Sequence, residues 1–142
     1  MSREYTGFEL TKQFEGCSLK AYRDIVGVLT IGYGHTGPDV HEGQEITQEQ
    51  ADHLLEVDLS GAILTVDLLV KVPISQNQFD ALVDLTYNIG SGAFRGSTLL
   101  KLLNADHYLQ AAYEFVKWDM ADGKHIPGLL KRRAAEQALF MK

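Results

Sequence analysis

Apolar side chains recur at helical spacing along most of the chain and at strand-like spacing over one short stretch. Residues 4–15 place them three or four positions apart, which predicts a short helix ending at Gly16. Residues 19–36 are instead rich in β-branched and aromatic side chains and are punctuated by glycines, a pattern typical of a small antiparallel sheet with tight turns. A loop of Gly, Pro and His is expected at 37–43.

A longer helix is predicted to begin at Thr47. Gln50 follows three residues later, and this spacing is that of a capping box, in which the two side chains bind each other's backbone N–H groups. One apolar stripe then continues to about Leu69, and Pro73 breaks it. Everything after Pro73 is expected to be helical. Four helices are predicted there, at 75–88, 97–103, 108–118 and 127–140.

Together these elements predict an α+β fold with two lobes. A small antiparallel sheet lobe and a larger helical lobe would be joined by the long helix, and a cleft between such lobes suits a polymeric substrate. We expect one domain, with a first helix (1–16), a β lobe (17–46), a connecting helix (47–70) and a helical lobe (72–142).

Composition narrows the class of protein. Of 142 residues, 45% are hydrophobic and 23% are charged, as in ordinary globular domains. The formal charge of −6 argues against nucleic-acid binding. That charge is uneven, since residues 39–67 hold eight acidic and no basic side chains, whereas residues 117–142 hold six basic and three acidic ones.

Several features exclude other classes. Cys17 is the single cysteine, so no internal disulfide can form, and we expect a small buried thiol. No apolar run approaches the roughly 20 residues that cross a bilayer, and the polar N-terminus lacks a secretory signal. No metal-ligand spacing is found at His41, His53, His107 and His125, and no nucleotide-binding motif is present. Neither a metal nor a cofactor is therefore expected.

Three side chains near the N-terminus suggest acid–base chemistry. Cleavage of a glycosidic bond needs a carboxylic acid to protonate the leaving oxygen and a second group to aim a nucleophile. Glu15 ends the first predicted helix, Asp24 precedes a Gly-containing turn, and Thr30 lies on the returning strand. By themselves these residues are weak evidence, because a helix-terminal Glu is usually solvated and an Asp before a turn usually serves the turn.

The surrounding motifs strengthen this interpretation. The chain has Phe-Glu-Gly at 14–16, Ala-Tyr-Arg-Asp at 21–24 and Gly-Val-Leu-Thr-Ile-Gly-Tyr-Gly-His-Thr-Gly at 27–37. This region resembles the signature of the phage T4-type lysozymes, glycoside hydrolase family 24, and places Glu15, Asp24 and Thr30 in the register of that family's catalytic residues. Four further segments resemble the phage P22 and phage 21 branches, at 77–82, 87–90, 94–99 and 127–133.

The resemblance implies a lysozyme-like fold and an inverting hydrolase that cuts peptidoglycan between N-acetylmuramic acid and N-acetylglucosamine. Glu15 would be the general acid, while Asp24 and Thr30 would position and activate the attacking water. The family also implies an endolysin that lyses the host. We expect a monomer that waits in the host cytoplasm until a holin releases it, and then acts on the wall in the periplasm.

Further site residues follow from the same resemblance. Gly34 and Thr36 would contact sugar from the sheet side, and Tyr87 and Ser97 from the helical side. An equally good interpretation of Tyr87 is a core aromatic residue with its hydroxyl at the surface.

The same resemblance implies contacts between charged residues near the site. In related members the equivalent of His35 pairs with an Asp on the long helix, here Asp58, so a structural ion pair is expected. Arg132 or Arg133 is expected to reach towards Glu15 or the neighbouring surface, and the sequence does not choose between them.

Two other functions compete with hydrolysis. A lytic transglycosylase cuts the same bond but needs only the acid, so the intact Asp24 and Thr30 favour hydrolysis. An inactive wall-binding or regulatory domain would require a lost catalytic group, and none is lost.

Overall fold

A computed structural model describes residues 3–142, and within them the predicted α+β class is confirmed. The helices are α1 (Phe8–Glu15), α2 (Gln48–Leu69), α3 (Gln76–Ile89), α4 (Ser91–Arg95), α5 (Thr98–Asn104), α6 (Tyr108–Glu114) and α7 (Pro127–Phe140), with a 3₁₀ turn at Phe115–Lys117. The strands are β1 (Ser18–Arg23), β2 (Leu29–Gly32), β3 (His35–Thr36), β4 (Met120–Ala121) and β5 (Lys124–His125).

The chain divides into two compact units. One, called here the sheet unit, is Phe8–Ser60. The other, the helical unit, is Gly61–Lys142 together with the N-terminal segment that ends at Gly7. The boundary therefore falls within α2.

The sheet unit is built on three antiparallel strands in the order β1, β2, β3. Tyr22 of β1 lies opposite Thr30 of β2, and Thr30 in turn lies opposite Thr36 of β3. The other edge of β1 is also covered, because Ala21 donates its N–H to the carbonyl of Gln44 at 2.9 Å and Ile46 donates to the carbonyl of Leu19 at 2.9 Å. Both edges of β1 are therefore hydrogen-bonded to backbone.

Helix α1 ends as predicted but begins four residues later than expected. Gly16 adopts φ +68°, the left-handed conformation that commonly ends a helix. The prediction of helix from residue 4 was wrong because Thr6 is held elsewhere. Its N–H donates to Asp80 Oδ1 at 3.1 Å and its hydroxyl donates to the same carboxylate, so residues before Phe8 belong to the helical unit.

Helix α2 begins with the predicted capping box. Thr47 donates its N–H to Gln50 Oε1 at 2.9 Å, and Gln50 donates its N–H to Thr47 Oγ1 at 3.1 Å. The helix ends at Leu69, as the apolar stripe predicts. Neither this 22-residue helix nor any other within residues 3–142 is long and apolar enough to cross a membrane.

The expectation that the chain is wholly helical after Pro73 was wrong at one place. Strands β4 and β5 form a small antiparallel hairpin between the helices predicted at 108–118 and 127–140, and α6 ends at Glu114, earlier than predicted. Asp122 at φ 51° and Gly123 at φ 76° make its turn, and two successive left-handed residues suit a two-residue hairpin loop. The short helix α4 was also not predicted.

Cys17 is exposed, so the prediction of a buried thiol was wrong. The residue lies in the two-residue connection between Glu15, which ends α1, and Ser18, which begins β1. Such a connection runs over the surface, where a small apolar side chain has no core to enter.

Candidate active site

Glu15 is the last residue of α1 and is half-buried. Gly34, in the turn between β2 and β3, lies beside its carboxylate. A Cβ atom added to Gly34 would stand 3.3 Å from Glu15 Oε1, and the backbone there has φ +83°. A glycine is therefore favoured on two grounds, since only it adopts this φ without strain and leaves the carboxylate room.

Asp24 is held by the turn that joins β1 to β2. Its Oδ1 accepts hydrogen bonds from the N–H groups of Val26 at 3.0 Å and Val28 at 2.9 Å. The backbone closes the same turn, because Asp24 donates its N–H to the carbonyl of Val28 at 3.0 Å. Within residues 3–142 no hydrogen bond to Oδ2 is formed, and the side chain is half-buried. One carboxylate oxygen is thus fixed while the other can accept a hydrogen bond from water.

Thr30 lies on β2 with 4% of its surface exposed. Its hydroxyl donates to the carbonyl of Val28 at 2.9 Å, so Val28 binds Asp24 through its N–H and Thr30 through its carbonyl. Because the hydroxyl hydrogen is used in that bond, the oxygen lone pairs of Thr30 remain acceptors. The role of Val28 was not predicted, because it involves only backbone atoms.

The predicted acid, carboxylate and hydroxyl therefore all lie in the sheet unit. Glu15 meets Gly34, while Asp24 and Thr30 are joined through Val28, and Thr36 lies across from Thr30 on the next strand. Among residues 3–142 no three His, Cys, Asp or Glu side chains are grouped to hold a metal ion. The chemistry that this arrangement supports is proton transfer between carboxyl groups, a hydroxyl and water.

Known proteins are similar to this chain in sequence and in architecture. The chain is 47% identical over 143 residues to an endolysin of Bacillus phage B103, a match that covers 99% of this chain and 54% of that protein. It is 46% identical over 139 residues to an endolysin of Salmonella phage P22, covering 95% of this chain and 94% of that one. The crystal structure of a P22 lysozyme mutant superimposes with a TM-score of 0.88 at 44% identity, covering 100% of this chain and 99% of the other. The profile of the phage lysozyme family matches residues 12–136.

The chain belongs to the phage lysozyme family. The resemblance given by the sequence motifs is thereby confirmed, including its likeness to phage P22. The chain spans about half the length of the Bacillus phage relatives that it matches, 54% of one and 55% of another.

The phage lysozyme motifs also pointed to Tyr87 and Ser97, both of which lie in the helical unit. Tyr87 is half-buried on α3. Ser97 is only 3% exposed, and its hydroxyl caps α5 by accepting from Leu100 N–H at 3.1 Å while donating to the carbonyl of Phe94 at 2.7 Å. One bond donated and one accepted leave a single lone pair on the Ser97 hydroxyl, and its contact with sugar stays a prediction.

The structure brings His35 and Asp58 together and adds a second carboxylate. His35 Nδ1 lies 2.8 Å from Asp58 Oδ2, and Nε2 lies 2.9 Å from Asp39 Oδ2. Burial alone lowers the pKa of His35, but hydrogen bonds to Asp58 and Asp39 outweigh it and raise that pKa above its usual value. The hydrogen bond from His35 likewise lowers the pKa of Asp39. The contact of Asp39 with His35 was not predicted, although Asp39 follows His35 by four residues.

Arg132 and Arg133, predicted as a basic cluster on the last helix, are both buried. Arg132 donates through Nε and Nη2 to the two carboxylate oxygens of Asp84, each at 2.9 Å. Arg133 donates to Asn88 at 2.9 Å and to Glu136 at 2.8 Å. Burial raises the pKa of Glu136 and lowers that of Arg133. The cluster links α3 to α7 by a charged network inside the helical unit.

Proposed function

We propose that this chain hydrolyses the β-1,4 bond between N-acetylmuramic acid and N-acetylglucosamine in peptidoglycan. The observation that carries the proposal is the hairpin in which Val28 joins Asp24 to Thr30, within the same unit as the half-buried Glu15. Membership of the phage lysozyme family and the similarity to proteins named endolysins support it.

In the proposed reaction, Glu15 protonates the glycosidic oxygen as the bond breaks. Asp24 Oδ2 accepts one hydrogen of the attacking water, and the hydroxyl oxygen of Thr30 accepts the other. The water oxygen bonds to the anomeric carbon as Asp24 takes up the proton, so Glu15 ends as a carboxylate and Asp24 as an acid. Attack from the face opposite the leaving group inverts the anomeric configuration, which requires carboxyl groups roughly 6.5–9.5 Å apart.

The biological setting belongs to the same proposal. The enzyme would accumulate in the host cytoplasm, reach the wall after a holin permeabilises the membrane, and lyse the host from the periplasm. A monomer suffices, because the three catalytic groups lie in one unit of one chain.

Substitution of the acid tests the proposal most directly. We expect Glu15→Gln to abolish lysis of Gram-negative cells stripped of their outer membrane, because an amide cannot donate the required proton. The variant should retain the circular dichroism spectrum and Tm of the parent. Lytic activity above a few per cent of the parent would remove Glu15 from its assigned role.

Substitution of the second carboxylate separates the roles further. Asp24→Asn keeps an oxygen that can accept from Val26 and Val28 but loses the basic group, so we expect a large fall in rate with residual turnover. Reaction of the parent in ¹⁸O-labelled water should place the label at the new reducing end. Anhydromuramic ends without label would establish transglycosylation instead, and near-parental rates in Asp24→Asn would show that water is aimed by another group.

A further inference from the structure

Arg23, at the end of β1, forms a bridge to which the catalytic scheme assigns no role. Its Nη1 donates to the carbonyl of Gly27 at 2.8 Å. Its Nε donates to Glu42 Oε1 at 3.0 Å, and Nη2 lies 3.0 Å from the same oxygen. The planar guanidinium therefore joins the hairpin turn to a carboxylate 19 residues further along the chain.

Glu42 lies on a segment that is itself fixed. His41 donates its N–H to Gln44 Oε1 at 2.8 Å, and Gln44 donates its N–H to the carbonyl of His41 at 3.2 Å. Gln44 is in turn hydrogen-bonded to β1, since its carbonyl accepts from Ala21 at 2.9 Å. Glu42, which binds Arg23, is therefore part of a segment that is hydrogen-bonded to the edge of the sheet.

The turn at 24–28, by contrast, is not held by packing. Ile25 is fully exposed and Val26 is 78% exposed, so burial contributes little to their conformation. Gly27 adopts φ +88°, and the residues on either side of it are the two whose N–H groups hold Asp24 Oδ1. Within residues 3–142 only Arg23 and Thr30 donate side-chain hydrogen bonds to the backbone carbonyls of this turn.

We infer that Arg23, anchored by Glu42, is a positioning residue that holds the turn in the geometry at which Asp24 receives the attacking water. The inference rests on the proposed function of Asp24. An exposed ion pair adds little to the free energy of unfolding, whereas displacement of a catalytic group by about 1 Å can slow a reaction about 100-fold. Arg23 therefore acts on the rate and not on the stability of the fold.

The test compares Arg23→Gln with a matched control, Lys20→Gln. Lys20 is also on β1 and pairs with Glu45 at 3.4 Å, but its side chain donates no hydrogen bond to the turn within residues 3–142. On soluble peptidoglycan fragments we expect Arg23→Gln to lower kcat about tenfold with KM and Tm unchanged, and Lys20→Gln to match the parent. Arg23→Lys should restore kcat only partly, because one ammonium cannot span both partners as the guanidinium does.

A second measurement reads the turn itself, independently of activity. Amide hydrogen exchange of Val26 and Val28, followed by NMR, should be faster in Arg23→Gln than in the parent and in Lys20→Gln. Unchanged exchange, or faster exchange with parental kcat, would overturn the inference. A failure of the proposed function would give a different result. Asp24→Asn would then keep the parental rate, whatever the rate of amide hydrogen exchange in Arg23→Gln.

Discussion

At the residue scale, the candidate site depends on a glycine and on backbone groups as much as on its carboxyl side chains. Gly34 leaves room beside Glu15, and the backbone of Val28 connects Asp24 to Thr30. The Thr30 hydroxyl donates its hydrogen to the carbonyl of Val28, so its oxygen is left as an acceptor, and this is the property that the proposed orientation of water needs.

Glu15, Asp24 and Thr30 were singled out from the sequence by their register within the phage lysozyme motifs, and their catalytic roles stay a prediction. The contact between Arg23 and Glu42 could not be predicted, since it joins the end of β1 to a loop residue 19 positions later and involves surface side chains of common types. Burial of the Ser97 hydroxyl could not be predicted either, because a Ser before a helix is compatible with a cap or with a ligand contact.

His35 gives a pH-dependent prediction at this scale. Its pKa in the folded protein is raised above the unfolded value of about 6.5, so its contribution to stability is complete below about pH 6.5 and is lost as the pH rises through the raised pKa. We expect His35→Gln to lower Tm more at about pH 6 than at about pH 9. His53→Gln, an exposed position on α2, is the control and should change Tm little at either pH. An equal loss for His35→Gln at both pH values would contradict this prediction.

At the scale of elements, helix and strand boundaries were predicted correctly where they depend on residues close in sequence, and incorrectly where contacts between distant residues determine them. The capping box at Thr47 involves only neighbours in sequence, and it set the start of α2 correctly. The start of α1 was missed because Thr6 is bound by Asp80, 74 residues away. The hairpin at β4 and β5 was missed because two-residue strands are too short to show alternation, although Asp122-Gly123 was a readable turn signal.

The pairing of α3 with α7 supports a prediction about stability. Asp84 is fully buried and accepts two hydrogen bonds from Arg132, which is 3% exposed. We expect Asp84→Asn to lower the free energy of unfolding by about 3–5 kcal/mol, because it removes the carboxylate that balances a buried guanidinium. Glu136→Gln should cost clearly less, since burial already favours the neutral form of that carboxyl. Urea denaturation at neutral pH measures both, and an equal cost for the two variants would contradict the prediction.

At the scale of the whole molecule, burial changes the charge pattern that the sequence suggests. Arg132 and Arg133 face Asp84 and Glu136 inside the helical unit. The exposed basic groups of residues 117–142 are therefore four lysines, Lys117, Lys124, Lys131 and Lys142. The acidic stretch at 39–67 has no basic residue of its own, so negative charge dominates the surface.

The formal charge of −6 predicts a dependence on salt. Cell walls are anionic, and raising the ionic strength from about 0.01 M to about 0.15 M shortens the screening length from about 30 Å to about 8 Å. We expect kcat/KM on purified cell walls to rise over that range, with little change on a neutral chitooligosaccharide. A steady fall on walls would show that local positive charge governs the encounter.

Cys17 has a practical consequence. It is the single cysteine of the chain, it is exposed, and it stands two residues after Glu15. A maleimide fluorophore would therefore attach at one point only, with no background thiols to remove. Attached there in the Glu15→Gln background, the dye would stand two residues from the proposed acid, so that a change in its emission on addition of glycan would time the proposed binding separately from cleavage.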